Sequence, residues 1–251
     1  MNALIGSTGF VGGHLQSSFS FKHKYNRSNI SDIRGLKTSL LICAGLPAEK
    51  WKANNEPESD WANMAALSQL ISTVKADKAI LISTIDVFNP AIDVTEESQP
   101  DLIGSEAYGR NRAWFEILFR ATYPDSLIIR LPGLFAANLK KNLIYDLMNN
   151  QADQYHKVDG ESVFQFFDIT RIAEVVDIGI RNNLTLLNVA TEPLSAQNIA
   201  DIFKICLRTG QKKLNYRMKS DYDHLFGGDN GYLYSKEEVI QGISKLYTKD
   251  K

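Results

Sequence analysis

Three groups of residues in this 251-residue chain have types and spacings that can do chemistry. The first is Gly6-Ser7-Thr8-Gly9-Phe10-Val11, closed by Gly12. It lies between the apolar run Ala3, Leu4, Ile5 and a stretch, 13–19, able to start a helix. A strand, a tight glycine turn and a helix N-terminus make a phosphate cradle. Small residues let backbone N–H groups approach a pyrophosphate, and the helix end adds a partial positive charge. The second group is Leu81-Ile82-Ser83-Thr84-Ile85-Asp86-Val87-Phe88, which sets hydroxyls at the carboxyl end of an apolar strand. The third is Tyr108-Gly109-Arg110-Asn111-Arg112 at the start of a helical pattern, where Tyr108 and Arg112 stand four apart on one helical face. Taken singly, each also has a plain structural reading: a glycine-rich turn, a pair of capping hydroxyls, an exposed tyrosine beside a solvated arginine.

The elements that must position these residues alternate between short apolar runs and longer helical patterns. Strands are expected at 3–5, 23–25, 40–44, 79–83, 127–131 and 184–189. Met64, Leu67, Ile71 and Val74 mark one helical face, and 108–119 reads as another helix. Strands that are apolar almost throughout and separated by helices imply a parallel sheet covered on both faces, a doubly wound α/β fold. Beyond about 135 the pattern is less regular. Ser195 reads as the cap of a helix carrying Ile199, Ile202, Phe203 and Cys206, followed by a polar, tyrosine-rich stretch at 216–234. The expected organisation is a dinucleotide-binding domain over 1–134 with a returning segment at about 160–190. A small C-terminal substrate lobe, 135–159 and 191–251, would cover the carboxyl ends of the strands.

A hydrophobic content of 44% supplies a core, and a net charge of −1 gives no reason to expect nucleic acid or a membrane surface as a partner. Cys43 and Cys206 read as buried reduced thiols. With no signal pattern and no apolar run of membrane length, they favour a cytoplasmic location. His14, His23, His156 and His224 have no metal-ligand spacing, so no metal is expected. No serine stands in a nucleophile-elbow pattern, which leaves hydrolase chemistry without support.

Together the motifs Gly-x-x-Gly-x-x-Gly, Ser-Thr-x-x-Val-Phe and Tyr-x-x-x-Arg resemble, in order and spacing, the extended short-chain dehydrogenase/reductases, in particular their sugar-nucleotide epimerases, dehydratases and reductases. Further stretches carry the resemblance. Ile42-Cys43-Ala44-Gly45 resembles the strand end bordering the adenosine and ribose, and Asn63 in Trp61-Ala62-Asn63-Met64 matches a helix asparagine. Ile129-Arg130-Leu131-Pro132-Gly133-Leu134-Phe135 resembles the strand and turn beside the nicotinamide. Asp168-Ile169-Thr170-Arg171-Ile172-Ala173 and Asn188-Val189-Ala190 resemble later landmarks.

The resemblance implies a Rossmann-type fold and a nicotinamide cofactor. Tyr108 would be the general acid or base at a substrate carbonyl or hydroxyl, with Thr84 on the same oxygen and Ile85 and Asp86 beside the substrate. A tyrosine near its ordinary pKa of about 10 is a poor base at neutral pH, so a neighbouring cation is required. The family pattern has lysine at that position, where this chain has Arg112. Arginine keeps the charge but not lysine's shape. That leaves two outcomes, an active enzyme with adjusted geometry or a catalytically impaired sensor or scaffold. The stretch after the second strand, Asn26-Arg27-Ser28, has no carboxylate for a ribose 2′-hydroxyl. Arg27 and Ser28 suit a 2′-phosphate, favouring NADP(H) over NAD(H). Dehydratases of the group carry an Asp-Glu pair where this chain reads Ile85-Asp86, and the 4-epimerases an asparagine where it reads Pro132-Gly133. The Ser-Thr-x-x-Val-Phe run most resembles the 4-keto-sugar-nucleotide reductases, so reduction, or else epimerisation, of a nucleotide-linked keto-sugar is what the resemblance implies. Lys140, Lys141 and Gln165 read first as solvated surface and second as candidates for facing a substrate diphosphate, and a homodimer through the helices at 64–74 and 114–119 is expected.

Overall fold

A computed structural model describes residues 1–249 of the protein. In chain order the elements begin with β1 (Asn2–Ile5), α1 (Phe10–Ser18), β2 (His23–Tyr25), β3 (Lys37–Cys43), α2 (Lys50–Asn55) and α3 (Pro57–Ile71). They continue with β4 (Lys75–Thr84), α4 (Ala107–Thr122), β5 (Leu127–Leu131), β6 (Gly133–Phe135), α5 (Leu143–Met148) and α6 (Ala152–Tyr155). The last are β7 (Val163–Phe164), β8 (Phe166–Asp168), α7 (Ile172–Arg181), β9 (Leu186–Asn188), β10 (Leu194–Ser195), α8 (Ala196–Ile202) and α9 (Lys236–Lys249).

The chain forms two compact units. The first comprises Met1–Asn89, Ser98–Arg130 and Arg171–Leu187. Its sheet has the order β2-β1-β3-β4-β5-β9, with β1 parallel to β2 and β3, and β3 parallel to β4. This is the Rossmann-type doubly wound α/β arrangement. All six expected strands are present. β3 and β4 start earlier than their apolar runs because the ladder continues through the polar pair Lys37↔Lys75. Hydrophobicity marks only the part covered on both faces, while backbone pairing extends beyond it. Met64 and Ile71 of α3 join Leu41, Cys43, Leu81, Phe115 and Phe119 in one buried cluster.

The second unit comprises Pro90–Glu97, Leu131–Thr170 and the described residues from Asn188 on. β6 pairs with β8 in parallel, and β10 with β7 antiparallel. Its core gathers Phe135, Leu143, Ile144, Phe166, Ile199 and Ile243. Ser195 caps α8 in a capping box with Asn198.

Two sequence expectations need correction here. Cys206 is not on the buried side of a helix. α8 stops at Ile202, Lys204 takes a left-handed φ of 60°, and Cys206 is exposed, whereas Cys43 is buried. Gln165 does not face a diphosphate either. It is 3% exposed, its amide nitrogen donates to the carbonyls of Thr191 and Met218, and its oxygen accepts the Met218 N–H, so its polar atoms are consumed within the unit. Lys140 and Lys141 are exposed.

Candidate functional site

The glycine turn between β1 and α1 is built by close approach. Gly6 has φ +87°, and a Cβ there would overlap the Ala44 carbonyl; a Cβ on Gly12 would overlap the Gly6 carbonyl. Glycine is therefore required at both positions for the turn to lie against the end of β3. The Gly6 and Ser7 N–H groups both donate to the Tyr25 carbonyl, at 2.8 and 3.0 Å, which ties the turn to β2. Thr8 follows in the turn, and Gly9 is the N-cap of α1 without a side-chain cap. The first amides of the helix, those of Phe10, Val11 and Gly12, have no intrahelical acceptor, and no acidic residue stands in the first turn. The arrangement is a positive, backbone-lined seat for an anion.

Beside it lies a cavity of about 280 Å³ whose lining includes Gly6, Asn26, Arg27, Gly45 and Asn63, with Met64 among its apolar walls. It opens at the carboxyl ends of β1 and β3, where the strand order reverses, the place such sheets bind ligands. Five of the sequence-derived cofactor residues are thus brought around one space. Asn26 organises the turn after β2: its side-chain oxygen accepts the Ser28 N–H at 2.8 Å and the Ser28 hydroxyl at 2.6 Å. Asn63 donates from its amide to the Ser59 carbonyl at 2.7 Å. Ala44 donates its N–H to Ile5 at 3.0 Å, so its role is in the backbone. Leu131 ends β5 and is buried at 4% exposure. The cradle fits a diphosphate, and the cavity, apolar with a few convergent polar groups, fits an adenosine.

The second cluster lies where β4 ends and α4 begins. A Cβ on Gly109 would overlap the Asp86 carbonyl, so glycine directly after Tyr108 lets α4 rest on the turn that follows Thr84. The Thr84 hydroxyl oxygen accepts the Asp86 N–H at 3.2 Å, while Ser83 donates to buried Glu116 at 2.6 Å. Glu116 also receives Arg130 through two bonds of 3.1 and 2.6 Å. Ile85 is buried and Asp86 forms a 2.7 Å ion pair with Lys50.

Tyr108 and Arg112 are not an exposed pair. They are 9% and 2% exposed, and the guanidinium lies 3.7 Å from the centre of the tyrosine ring. Arg112 meets Asp60 in a fork, at 2.9 and 3.1 Å, and donates to the carbonyls of Tyr108 and Pro47 at 2.8 and 2.6 Å. Asn111 donates to the same carboxylate at 3.0 Å. Arginine's planar, five-donor fork suits this multiple docking, which a lysine ammonium would not reproduce. The neighbouring cation does act to make the Tyr108 phenol easier to ionise, as expected, but it is outweighed. Burial is the largest influence and pushes its pKa up, with Asp86 adding to it; Arg112 and Lys50 only oppose the rise.

Sequence reasoning missed Asp60, Lys50 and Glu116. Each is an ordinary charged residue on a helix, and the available signal was indirect: a buried cation requires a buried anion. Among the described residues no group of three His, Cys, Asp or Glu is placed to hold a metal ion, and no helix is long and apolar enough to cross a membrane.

No family model matches the chain, and no curated protein does. Solved structures match along its whole length. MoeE5, solved with UDP-glucose and NAD, is 13% identical over 99% of both chains with a TM-score of 0.73. A dTDP-4-dehydrorhamnose reductase from Clostridium acetobutylicum is 18% identical over 98% of this chain and 99% of its own, with a TM-score of 0.72. RMD from Pseudomonas aeruginosa, solved with NADPH, is 16% identical over 100% of this chain and 98% of its own, with a TM-score of 0.72. The fold that the motifs imply is the fold these proteins share.

Proposed function

We propose that the protein is a nicotinamide-dinucleotide oxidoreductase of the extended short-chain dehydrogenase/reductase type, reducing a nucleotide-linked keto-sugar with NADP(H) rather than NAD(H). The observation that carries this reading is the joint presence, in one unit, of the anion cradle, the cavity beside it and a buried tyrosine at the start of α4, which rests on the turn that follows Thr84. Phe10, Val11 and Gly12 would hold the diphosphate of the cofactor through their amides. Asn26, Gly45 and Asn63 would border its adenosine, and Arg27 would face a 2′-phosphate. Such a cofactor, when bound, supplies hydride chemistry. The neighbours solved with NAD or NADPH support the cofactor class, and the dTDP-4-dehydrorhamnose reductase supports the reaction class.

The protein's own residues supply the proton. Burial keeps the Tyr108 hydroxyl protonated, which suits a general acid that gives its proton to a substrate oxygen gaining negative charge. Thr84, with its hydroxyl oxygen fixed by the Asp86 N–H, would give that oxygen a second hydrogen bond. The same reading pairs two copies through α3 and α4, on which Trp114 and Ile117 are each 43% exposed.

A second reading, a cofactor-binding sensor or scaffold, would draw on the commitment of the cation at position 112 to Asp60, but the neighbours, a reductase among them, favour the enzyme. Fluorescence titration with NADPH and NADH, followed by NADPH oxidation against a panel of nucleotide-linked 4-keto-sugars, separates the two. The enzyme reading expects tighter NADPH binding and turnover with some member of the panel. Binding without any turnover supports the sensor, and equal or tighter NADH binding refutes the NADP(H) preference.

A further inference from the structure

The four N–H groups on the two terminal nitrogens of Arg112 reach Asp60, Pro47 and the Tyr108 carbonyl, so this guanidinium is a fixed strut. A second cation reaches the same place from another element. Lys50, the first residue of α2, extends its ammonium to Asp86 at 2.7 Å and is 42% exposed. Its helix is docked on the start of α4 one turn later. Asn54 accepts the Tyr108 backbone N–H at 2.9 Å and donates to Glu106 at 2.7 Å. Lys50 and Asn54 stand four apart and share a helical face, so the contact that holds the Tyr108 backbone also aims the ammonium at the Asp86 turn. Asp86 in turn donates its N–H to Thr84 and lies with its carbonyl against Gly109.

We propose that Lys50 is the positioning ammonium of this site, taking over from α2 the charge that the family pattern places four residues after the tyrosine, while Arg112 has become structural. The proposal rests on the reading of Tyr108 as proton donor. Lys50 holds the Asp86 carboxylate, whose negative charge otherwise bears on the phenol. The charged groups around Tyr108 are Arg112 on its own helix, Asp86 after β4 and Lys50 on α2, with Asp60 of α3 behind Arg112 and Glu106 at the Asn54 contact. Of the two cations, the Lys50 side chain is the more exposed, so it can be replaced without opening a buried ion pair.

The test uses the full chain with 13C-labelled tyrosine, the Tyr108 resonance assigned by Tyr108→Phe and its ionisation followed by NMR without added cofactor. In Lys50→Met the phenol ionises at higher pH than in the unaltered protein, and Lys50→Arg restores the original titration; Lys50→Gln repeats the loss with a polar side chain. Where a keto-sugar nucleotide is turned over, Lys50→Met lowers kcat by about 10²-fold at neutral pH. It also shifts the pH profile and leaves NADPH affinity unchanged. A Tyr108 titration that is the same in Lys50→Met, Lys50→Gln and the unaltered protein overturns the proposal. The NMR arm needs no turnover, so loss of the oxidoreductase reading and loss of the Lys50 role are seen separately.

Discussion

The Arg112 guanidinium is stacked 3.7 Å from the centre of the Tyr108 ring while it grips Asp60 with both terminal nitrogens. The stack and the fork fix each other. A guanidinium over an aromatic face gains from the ring's negative potential, and the bidentate carboxylate sets its plane. The tyrosine that the site needs is therefore held from beneath by a buried ion pair.

Removing the anion leaves an uncompensated buried cation, the costly way to break such a pair. Asp60→Ala is expected to lower the free energy of unfolding by about 3–5 kcal/mol, measured by urea denaturation. It also strips Asn111 of an acceptor. Arg112→Lys keeps the charge yet loses the fork, so it is expected to reduce stability and activity instead of repairing the family pattern.

Gly109 has no room for a side chain against Asp86. Gly109→Ala is expected to push the start of α4 away from the Thr84 turn and to cost about 1–3 kcal/mol of stability. Because the cradle is elsewhere in the unit, NADPH affinity should hold while kcat falls, a split that steady-state kinetics beside a fluorescence titration reads directly.

The legibility of the molecule from its residues was uneven, for physical reasons. Gly6, Gly12 and the apolar strands were readable because backbone approach and two-sided burial restrict residue type. The partners of the tyrosine were not readable in the same way. Asp60 meets Arg112 from α3 and Lys50 meets Asp86 from α2, and nothing local in a helix distinguishes a buried charged residue from a solvated one. Cys206 misled because a helical period continued past Ile202, whereas the left-handed backbone at Lys204 ended the helix. Arg112 was visible as a departure, but its cause, the planar fork on Asp60, required the packing of two helices.

Arg27 stands at the rim of the cavity beside Asn26, without a carboxylate in that turn. Arg27→Ala is expected to weaken NADPH binding about tenfold, through loss of one charge-assisted contact, while leaving NADH affinity unchanged. Parallel titrations of the two cofactors check this.

In the second unit, Glu96 accepts the Asn188 N–H and the Ser220 hydroxyl, each at 2.7 Å, and the Asp221 N–H at 2.8 Å. Burial is the larger influence and pushes its carboxyl pKa up, against those hydrogen bonds. A raised acid in the folded state binds its proton more tightly than in the unfolded chain. The resulting stability is present below the ordinary glutamate value of about 4.3 and is lost as pH rises through the folded value. The unfolding free energy of the protein relative to Glu96→Gln should therefore be most favourable at the acid end and fall as pH rises, measured by denaturation at a series of pH values.

NADPH oxidation with a nucleotide-linked keto-sugar, run on the protein and on Tyr108→Phe after both have been shown to bind NADPH equally, decides whether Tyr108 is the proton donor of a reductase. Turnover by the protein and a loss of about 10²-fold or more in the variant are expected, since the phenylalanine keeps the ring that Arg112 stacks on and removes only the hydroxyl. Equal turnover by the two proteins would rule that role out.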